Sequence, residues 1–427
     1  MSAITLPEIL FLWWLGQPAA PRLVGTLRWV RRAQQQEAGV SLRYSAEWLA
    51  TGFALSEDLP LRDVEYMPTE PDAAAGAVDD ARPDRWGERV IRLLIKPQRL
   101  STLDYLYFSG DDRFGGLGVS TSETVYAPYQ HGALPQFADV QQVHDLVQQV
   151  HDLVRRVEAG EMLAEPLRHW VAPGATLGGA KPKALLSMNG AQWVLKFAEA
   201  SEVCDSGLVE HACMTLALQA GIDVCETRPI AYQHGSATRH AVAVRRFDRA
   251  ECVRLHALSA HVALRAAGVD YGYPELALLL RRRGDAAHIK ANGEQLFRRM
   301  VFNIMMDNTD DHEKNHALLV VNNVMTLAPA FDVLPAGQAL GYQSMRVGQE
   351  GGASTLENAL SEHKSFGMTL ARAKEVLAEV AAAAHAWPSH FAFAGVSEQD
   401  VAVLAQTIDR PFLRSQRMAW LGCDLMR

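Results

Sequence analysis

The sequence has few cysteines, and no two of them are closely spaced. Five are present, at positions 204, 213, 225, 252 and 423, and they form no C-x-x-C motif. An odd number without such a motif argues against both a disulfide framework and a zinc ribbon. We therefore expect the chain to work in a reducing compartment, the cytoplasm.

Long apolar runs and an excess of basic charge are also missing. The early run ILFLWWL, at positions 9–15, is too short to span a bilayer and lacks the basic start of a signal peptide, so it indicates a buried strand. The formal net charge is -8. Because neutralising phosphates requires a concentrated basic surface, this charge argues against direct binding of nucleic acid. We expect no membrane association, and contact with DNA only through a partner.

The chain is long enough for several domains with large cores, since it has 427 residues of which 48% are hydrophobic. Up to about residue 130, short apolar runs alternate with turn signals, a pattern typical of an α+β region. The acidic, alanine-rich segment TEPDAAAGAVDDARPD, at positions 69–84, indicates an exposed loop. Between residues 170 and 250, strand patterns alternate with one helix, and from about residue 255 the periodicity is mainly helical.

Two chemical motifs overlap in MDNTDDHEKNHALLVV, at positions 306–321. The H-E-x-x-H pattern from His312 to His316 is a zinc protease signature. In such enzymes a continuous helix presents both histidines, and a third ligand comes from elsewhere. The residues after His316 instead predict a hairpin, with an Asn-Asn turn at 322 and 323. A zinc metalloprotease is therefore disfavoured but stays an alternative.

The second motif, D-x-x-x-x-N, is typical of a phosphotransfer loop. In such loops an aspartate accepts the proton of the attacking hydroxyl, an asparagine holds Mg²⁺, and a hairpin leads to a second metal-binding aspartate. Asp310, Asn315 and Asp332 occur in this order, with Asp332 in PAFDVLP. Carboxylate and amide oxygens suit Mg²⁺. We then expect His312 only to make a hydrogen bond that shapes the loop.

Upstream residues supply what the nucleotide phosphates would need. The segment PGATLGGAKPKALL contains glycines that allow close approach of backbone N–H groups, Lys196 lies on a predicted strand, and Glu210 lies on a predicted helix. Singly, each is better explained as an ordinary turn, surface or helix-terminal residue. Their joint order indicates a kinase.

These motifs resemble the HipA-type serine/threonine kinases, which are toxins of type II toxin–antitoxin systems. The resemblance rests on GGAKPKALL, VLKF, RRFDR, NTDDHEKNH and AFDVLP, with VGTLRW and LPL near the N-terminus. It implies an α+β, two-lobed protein-kinase-like fold with a mixed α/β N-terminal lobe and an all-helical C-terminal lobe. Residues 1–130 would form the N-terminal subdomain, 131–250 the N-lobe with its hinge, and 251–427 the C-lobe.

The resemblance also assigns roles to residues. Asp310 is implied as the catalytic base, Asn315 and Asp332 as Mg²⁺ ligands, Lys196 as the ATP phosphate contact and Glu210 as its partner. The implied ATP-binding set is Gly174, Gly178, Gly179, Ala180, Lys183, Lys196, Arg245, Phe247 and Asp248, where Asp248 would reach the ribose. Thr176 occupies the position of the autophosphorylation site. Its phosphate would add about -1.5 to -2 charges where the ATP phosphates must lie and would inactivate the enzyme.

The implied partners are a helix-turn-helix antitoxin of the HipB type and a protein substrate. The substrate implied is an aminoacyl-tRNA synthetase of the glutamyl-tRNA synthetase type, whose phosphorylation would stop growth. A kinase-like binding module without activity is the other alternative. It is disfavoured by the presence of all four expected site residues, Lys196, Asp310, Asn315 and Asp332.

Overall fold

The computed structural model describes residues 5–31, 38–137, 140–161, 181–199 and 202–421. The chain divides into two compact units. The first unit comprises Met1–Phe197, Arg245–Leu258 and Leu319–Val321, and the second unit comprises Ala198–Val244, Ser259–Leu318 and Asn322–Arg427. Within the described residues, no helix is both long and apolar enough to cross a membrane.

Strands and helices alternate up to residue 327, and the regular elements described after it are all helices. The strands are β1 (Ile9–Trp14), β2 (Arg22–Arg31), β3 (Ala38–Tyr44), β4 (Glu65–Tyr66), β5 (Leu117–Ser120), β6 (Gln136–Phe137), β7 (Lys183–Met188), β8 (Ala191–Lys196), β9 (Thr227–His234), β10 (Ala237–Arg245), β11 (Arg249–Ala250), β12 (Val253–Arg254), β13 (His256–Ser259), β14 (Ala317–Val321) and β15 (Val324–Leu327). The α-helices are α1 (Ala46–Thr51), α2 (Arg85–Val90), α3 (Thr102–Phe108), α4 (Val140–Glu158), α5 (Ser206–Gln219), α6 (Ala260–Ala267), α7 (Tyr273–Arg283), α8 (Ile289–Met305), α9 (Leu356–Ser361), α10 (Leu370–His385), α11 (Trp387–Phe393), α12 (Glu398–Ile408) and α13 (Pro411–Leu421).

An antiparallel sheet organises the N-terminal part of the first unit. Its strand order is β4-β3-β2-β1-β5. In β1, Leu10 and Leu12 are fully buried, and the alternation shifts at a bulge between Leu12 and Trp13. The strand predicted from the early apolar run is confirmed.

The acidic, alanine-rich segment at 69–84 is not an exposed loop, so that prediction was wrong. Residues 73–78 are buried, and Gly76–Ala81 form a 3-10 helix. Alanine side chains are small enough to pack there. The acid beside them is used internally, because Asp79 Oδ1 accepts from Ala74 N at 2.8 Å and from Arg82 Nη1 at 3.0 Å.

A second group of strands in the first unit carries the predicted phosphate-contacting lysine. β7 and β8 form an antiparallel hairpin, and β6 runs parallel to β7. The turn residues Asn189 and Gly190 have φ values of 53° and 72°. Two successive positive φ angles are typical of the tight type I′ hairpin turn. Lys196, the last residue of β8, therefore lies on a strand as predicted.

The second unit is built mainly of helices around α8. The C-terminal half of α8, from Leu296 to Met305, is buried on all sides, and the helix packs against α7 and α10. β9 and β10 form a hairpin in this unit. The hairpin predicted after the H-E-x-x-H motif is confirmed as β14 and β15, with φ values of 52° at Asn322 and 63° at Asn323.

Candidate active site

The predicted catalytic loop lies between α8 and β14 in the second unit. The chain leaves α8 after Met305 and forms a short 3-10 turn at Glu313–Asn315 before entering β14. Asp307 has a φ of 55°, a left-handed conformation that cannot continue the helix. The 3-10 turn is capped by His312, whose Nδ1 accepts from Lys314 N at 3.2 Å. The expected loop-shaping hydrogen bond of His312 is confirmed.

Two adjacent acids in this loop have opposite surroundings. Asp310 is exposed, whereas Asp311 is only 2% exposed. One oxygen of Asp311, Oδ2, accepts hydrogen bonds from the Tyr273 hydroxyl, from Asn303 Nδ2 at 2.8 Å and from His316 Nε2 at 2.9 Å. Asp311 therefore anchors the loop to α7 and α8, and Asp310 is the acid that solvent reaches.

The hydrogen bonds to Asp311 keep it ionised despite its burial. Burial raises the pKa of the Asp311 carboxyl, but the His316 ring and the hydrogen bonds from His316 and Tyr273 lower it, and the resulting pKa is below its usual value. Burial and the adjacent Asp311 charge raise the pKa of Tyr273 well above its usual value, so its hydroxyl keeps its proton and donates. A carboxylate engaged in this way is a poor general base.

Asn315 is buried in the loop and has one oxygen to offer. Its Nδ2 donates a long hydrogen bond, 3.4 Å, to the backbone oxygen of Asp310. Its Oδ1 has no hydrogen-bond partner among the residues that the structure describes. A buried amide oxygen without a partner is costly unless something binds it. The Asn315 side chain fits the requirement for a Mg²⁺ ligand, since this ion prefers oxygen donors.

Asp332 follows the β14–β15 hairpin in an uncommon conformation. It is half-buried, and its φ is 60°. Non-glycine residues in the left-handed region are concentrated at functional sites. Its two neighbours, Phe331 and Val333, are buried and line one small pocket together with Asn315. The structure therefore brings the segment around Asp332 to the side of the loop that carries Asn315.

This pocket, which we call the loop pocket, lies entirely within the second unit. Its lining residues are Ile222, Arg299, Phe302, Asn303, Asp311, Asn315, His316, Ala330, Phe331 and Val333.

The H-E-x-x-H segment does not have the geometry of a zinc protease. Only the three residues Glu313–Asn315 are helical, and His316 is extended. His316 Nε2 contacts Asp311, and Glu313 Oε1 contacts His261 Nδ1 at 2.9 Å. Among the described residues, no three histidine, cysteine or acidic side chains are grouped as a metal site requires. The helical context that the zinc hypothesis needs is therefore contradicted.

The two lysines of the predicted nucleotide site lie opposite each other in the β7–β8 hairpin. Lys183 is 1% exposed and Lys196 is 3% exposed. The Lys183 ammonium forms an ion pair with Asp84, which also caps α2 by accepting from Gly87 N at 2.9 Å. Lys183 was predicted to contact ATP, but its charge is already neutralised inside the first unit.

The remaining predicted residues lie on α5 and at the end of β10. Glu210 is buried on α5 in the second unit, so the predicted helical position is confirmed. In the first unit, Arg245 is exposed and Phe247 is half-buried, with its ring edge-on to Phe114 at a centroid distance of 6.1 Å.

Asp248 was expected to reach a ribose, but its carboxylate is fully buried. Oδ1 accepts from Arg246 Nε at 2.9 Å, and Oδ2 accepts from Gly115 N at 2.8 Å and from Arg249 Nη1 at 2.9 Å. Burial raises the pKa of the Asp248 carboxyl, but the opposing effect of Arg246 and Arg249 is larger. The resulting pKa is well below its usual value. Asp248 therefore joins the loop before β5 to the segment after β10, both within the first unit.

Several predicted positions lie outside the described residues. They are the glycine-rich loop residues Gly174, Gly178, Gly179 and Ala180 and the predicted autophosphorylation site Thr176.

Sequence reasoning missed the groups that hold the catalytic loop. Tyr273 lies 38 positions before Asp311, and nothing in the sequence connects the two. Asn303 and Arg299 had a signal: they are polar residues four positions apart in the apolar run LFRRMVFNIMM, so they share one helix face. Arg299 and Asn315 both line the loop pocket.

The sequence matches two family models in the same order as the predicted regions. The model described as the HipA N-terminal domain matches residues 19–120, and the model described as the HipA-like C-terminal domain matches residues 175–387. Among curated proteins, none matches the chain.

A solved structure shows the same relationship at the level of fold. HipA of Shewanella oneidensis MR-1, solved in a toxin–antitoxin complex with HipB and operator DNA, is 16% identical, with a TM-score of 0.65 over 97% of both chains. The Helicobacter pylori proinflammatory kinase CtkA is 14% identical over 56% of this chain and 89% of its own, with a TM-score of 0.39. The α+β, two-lobed kinase-like fold expected from the resemblance is confirmed. The expectation of an all-helical C-terminal lobe was wrong, because β13, β14 and β15 lie within residues 251–427 and form a three-stranded sheet. The two family matches, in order along the chain, show that this protein belongs to the HipA family.

Proposed function

We propose that this HipA-family protein is an ATP- and Mg²⁺-dependent serine/threonine protein kinase that acts as a growth-arresting toxin. The observation that carries the proposal is the division of labour in the catalytic loop. Asp311 accepts three hydrogen bonds and is buried, whereas Asp310 is exposed. Asn315 Oδ1 has no hydrogen-bond partner within the described part of the chain. A kinase needs a catalytic loop that presents an accessible base and a side-chain oxygen for the metal.

In this proposal Asp310 accepts the proton of a serine or threonine hydroxyl and orients it towards the phosphate. Asn315 and Asp332 hold Mg²⁺, and Lys196 contacts the nucleotide phosphates. When bound, Mg²⁺ supplies positive charge that offsets the negative charge of the phosphates. The protein mainly positions groups, because phosphate transfer asks little covalent chemistry of the side chains.

The regulation and partners in this proposal come from the family and from the Shewanella complex. That HipA was solved with HipB and operator DNA. We propose a helix-turn-helix antitoxin of the HipB type for this chain, with DNA contacted through that antitoxin. The formal charge of -8 is compatible with a basic partner. An aminoacyl-tRNA synthetase, of the glutamyl-tRNA synthetase type, is the proposed substrate in the cytoplasm.

Self-inactivation by phosphorylation of Thr176 is part of the same proposal. A phosphate there would repel the ATP phosphates, so the modified enzyme should be inactive. Mass spectrometry after incubation with ATP and Mg²⁺ should detect the phosphate on Thr176. Fully active protein with an unmodified Thr176 throughout would contradict this part only.

The experiment that tests the proposed function is phosphate transfer from radiolabelled ATP to the proteins of a cell extract. Wild-type protein should label a discrete band that mass spectrometry can identify, and Asp310→Asn should abolish the label. The matched control is Asp270→Asn, the same change at an exposed acid of the second unit outside the catalytic loop. Labelling by Asp310→Asn equal to wild type would refute the assignment, and folded wild type without any labelling would favour a binding module.

A further inference from the structure

A buried arginine in the loop pocket has unused hydrogen-bond donors. Arg299 lies on α8 and is 3% exposed. Its Nη2 donates to the backbone oxygen of Ala328 at 2.6 Å, but Nε and Nη1 have no partner among the described residues. Burial lowers the pKa of Arg299 to about 10, so the guanidinium is still charged at neutral pH. A buried cation with two unmet donors is costly and calls for an explanation.

An unmet acceptor lies in the same pocket. It is Oδ1 of Asn315, which has no partner within the part of the chain that the structure describes. The loop pocket thus combines unmet donors of Arg299 with an unmet acceptor of Asn315.

These unmet groups and the size of the pocket indicate its ligand. A water molecule can accept a hydrogen bond from one of the two Arg299 donors and donate one to Asn315 Oδ1. The two donors lie on opposite edges of the guanidinium, so one water meets only one of them. The pocket offers about 10 Å³ to a sphere of water size, close to the minimum of roughly 10–15 Å³ for one water. A small anion would meet a donor of Arg299 but would face the side-chain oxygen of Asn315 and the carboxylate of Asp311 in the pocket wall.

We propose that Arg299 is a positioning residue that holds the Asn315 side chain through one buried water. The inference rests on the proposed function, since it assumes that Asn315 Oδ1 binds Mg²⁺. The water donates one hydrogen bond to Asn315 Oδ1, and the second lone pair of Oδ1 remains for the metal. Hydrogen-bonded groups behind a metal ligand typically contribute about 10–100-fold in metal affinity or activity.

The test compares Arg299→Met and Arg299→Lys with a matched control on the same helix. Arg298 is also buried, at 7% exposed, but its guanidinium is ion-paired with Glu294 and Glu379. Arg298→Lys should therefore leave the site unchanged. The readout is the Mg²⁺ concentration that gives half-maximal binding of ATP, measured calorimetrically on the full chain.

Arg299→Met should raise this half-maximal Mg²⁺ concentration by about 10-fold or more, with weaker binding confined to the Mg²⁺-dependent part of the isotherm. Arg299→Lys keeps the charge but replaces the planar donor fork with a single ammonium group, so it should fall between wild type and Arg299→Met. A folded Arg299→Met protein with the Mg²⁺ dependence of wild type would overturn the inference.

If Arg299→Met does not fold, a high-resolution crystal structure of the wild-type protein tests the proposed water directly. It should show one water within hydrogen-bond distance of Arg299 and Asn315 Oδ1. A different occupant, or a direct contact of Arg299 with Asn315, would overturn the proposal. If wild-type protein binds no ATP at any Mg²⁺ concentration, the proposed function fails, whereas the crystallographic water tests the pocket independently of activity.

Discussion

Replacing Asp311 should destabilise the second unit far more than replacing its neighbour Asp310. Asp311→Ala leaves the Tyr273 hydroxyl, Asn303 Nδ2 and His316 Nε2 without their acceptor. Each unmet buried donor costs about 1–3 kcal/mol, and removing one partner of a buried charged pair typically costs about 3–5 kcal/mol. Because some of these groups can find water, we expect Asp311→Ala to lower the free energy of unfolding by about 3–5 kcal/mol.

Asp311→Asn provides a graded control, because all three donors contact the same oxygen, Oδ2. An amide can place its oxygen there and keep the three hydrogen bonds without the charge. Since hydrogen bonds to a charged acceptor are roughly twice as strong as neutral ones, the loss should be about 1–2 kcal/mol. Exposed Asp310→Asn should leave stability unchanged within about 0.5 kcal/mol.

Equilibrium urea unfolding of the wild type and these three variants measures the differences. The expected order of stability is wild type and Asp310→Asn, then Asp311→Asn, then Asp311→Ala. If Asp311→Ala unfolds at the same urea concentration as wild type, the carboxylate does not anchor the loop and the division of labour between the two acids is refuted.

Three further outcomes are expected. Asp332→Asn should abolish phosphate transfer while circular dichroism and the urea midpoint stay those of wild type. Lys183→Met should destabilise the first unit by about 3–5 kcal/mol in urea unfolding, because it leaves the buried Asp84 without its cation. Hydrogen bonds from Arg372 and Arg298 lower the pKa of Glu294 to about 2, below the unfolded value. This contribution to stability is therefore complete above about pH 4.5 and is lost as the pH falls towards 2, and Glu294→Gln should remove that part of the acid dependence.

The hairpin and the order of the motifs could be predicted because they depend on local chemistry. Successive asparagines accept positive φ angles, so the turn at Asn322 and Asn323 could be predicted from the sequence. The same reasoning separated the H-E-x-x-H pattern from a zinc site, since a strand cannot present two histidines as a helix does. The family resemblance rested on these local features and was confirmed.

The division between Asp310 and Asp311 could not be predicted, because it depends on contacts that are distant in sequence. The donors to Asp311 come from Tyr273, 38 positions away, and from Asn303 on α8. The prediction that the segment around Asp79 is exposed failed for a related reason. Its acidic and alanine content indicates exposure, but the Asp79 carboxylate has hydrogen-bond partners within the fold. Composition shows which polar groups are costly to bury, but it does not show which hydrogen-bond partners offset that cost in the folded protein.

The most direct test of the central claim is a crystal structure of the protein with Mg²⁺ and a non-hydrolysable ATP analogue. The account predicts Mg²⁺ about 2.0–2.1 Å from Asn315 Oδ1 and from a carboxylate oxygen of Asp332, with Asp310 facing the terminal phosphate and Asp311 still bonded to His316. A nucleotide bound away from these residues, or a metal held by His312 and His316, would contradict it.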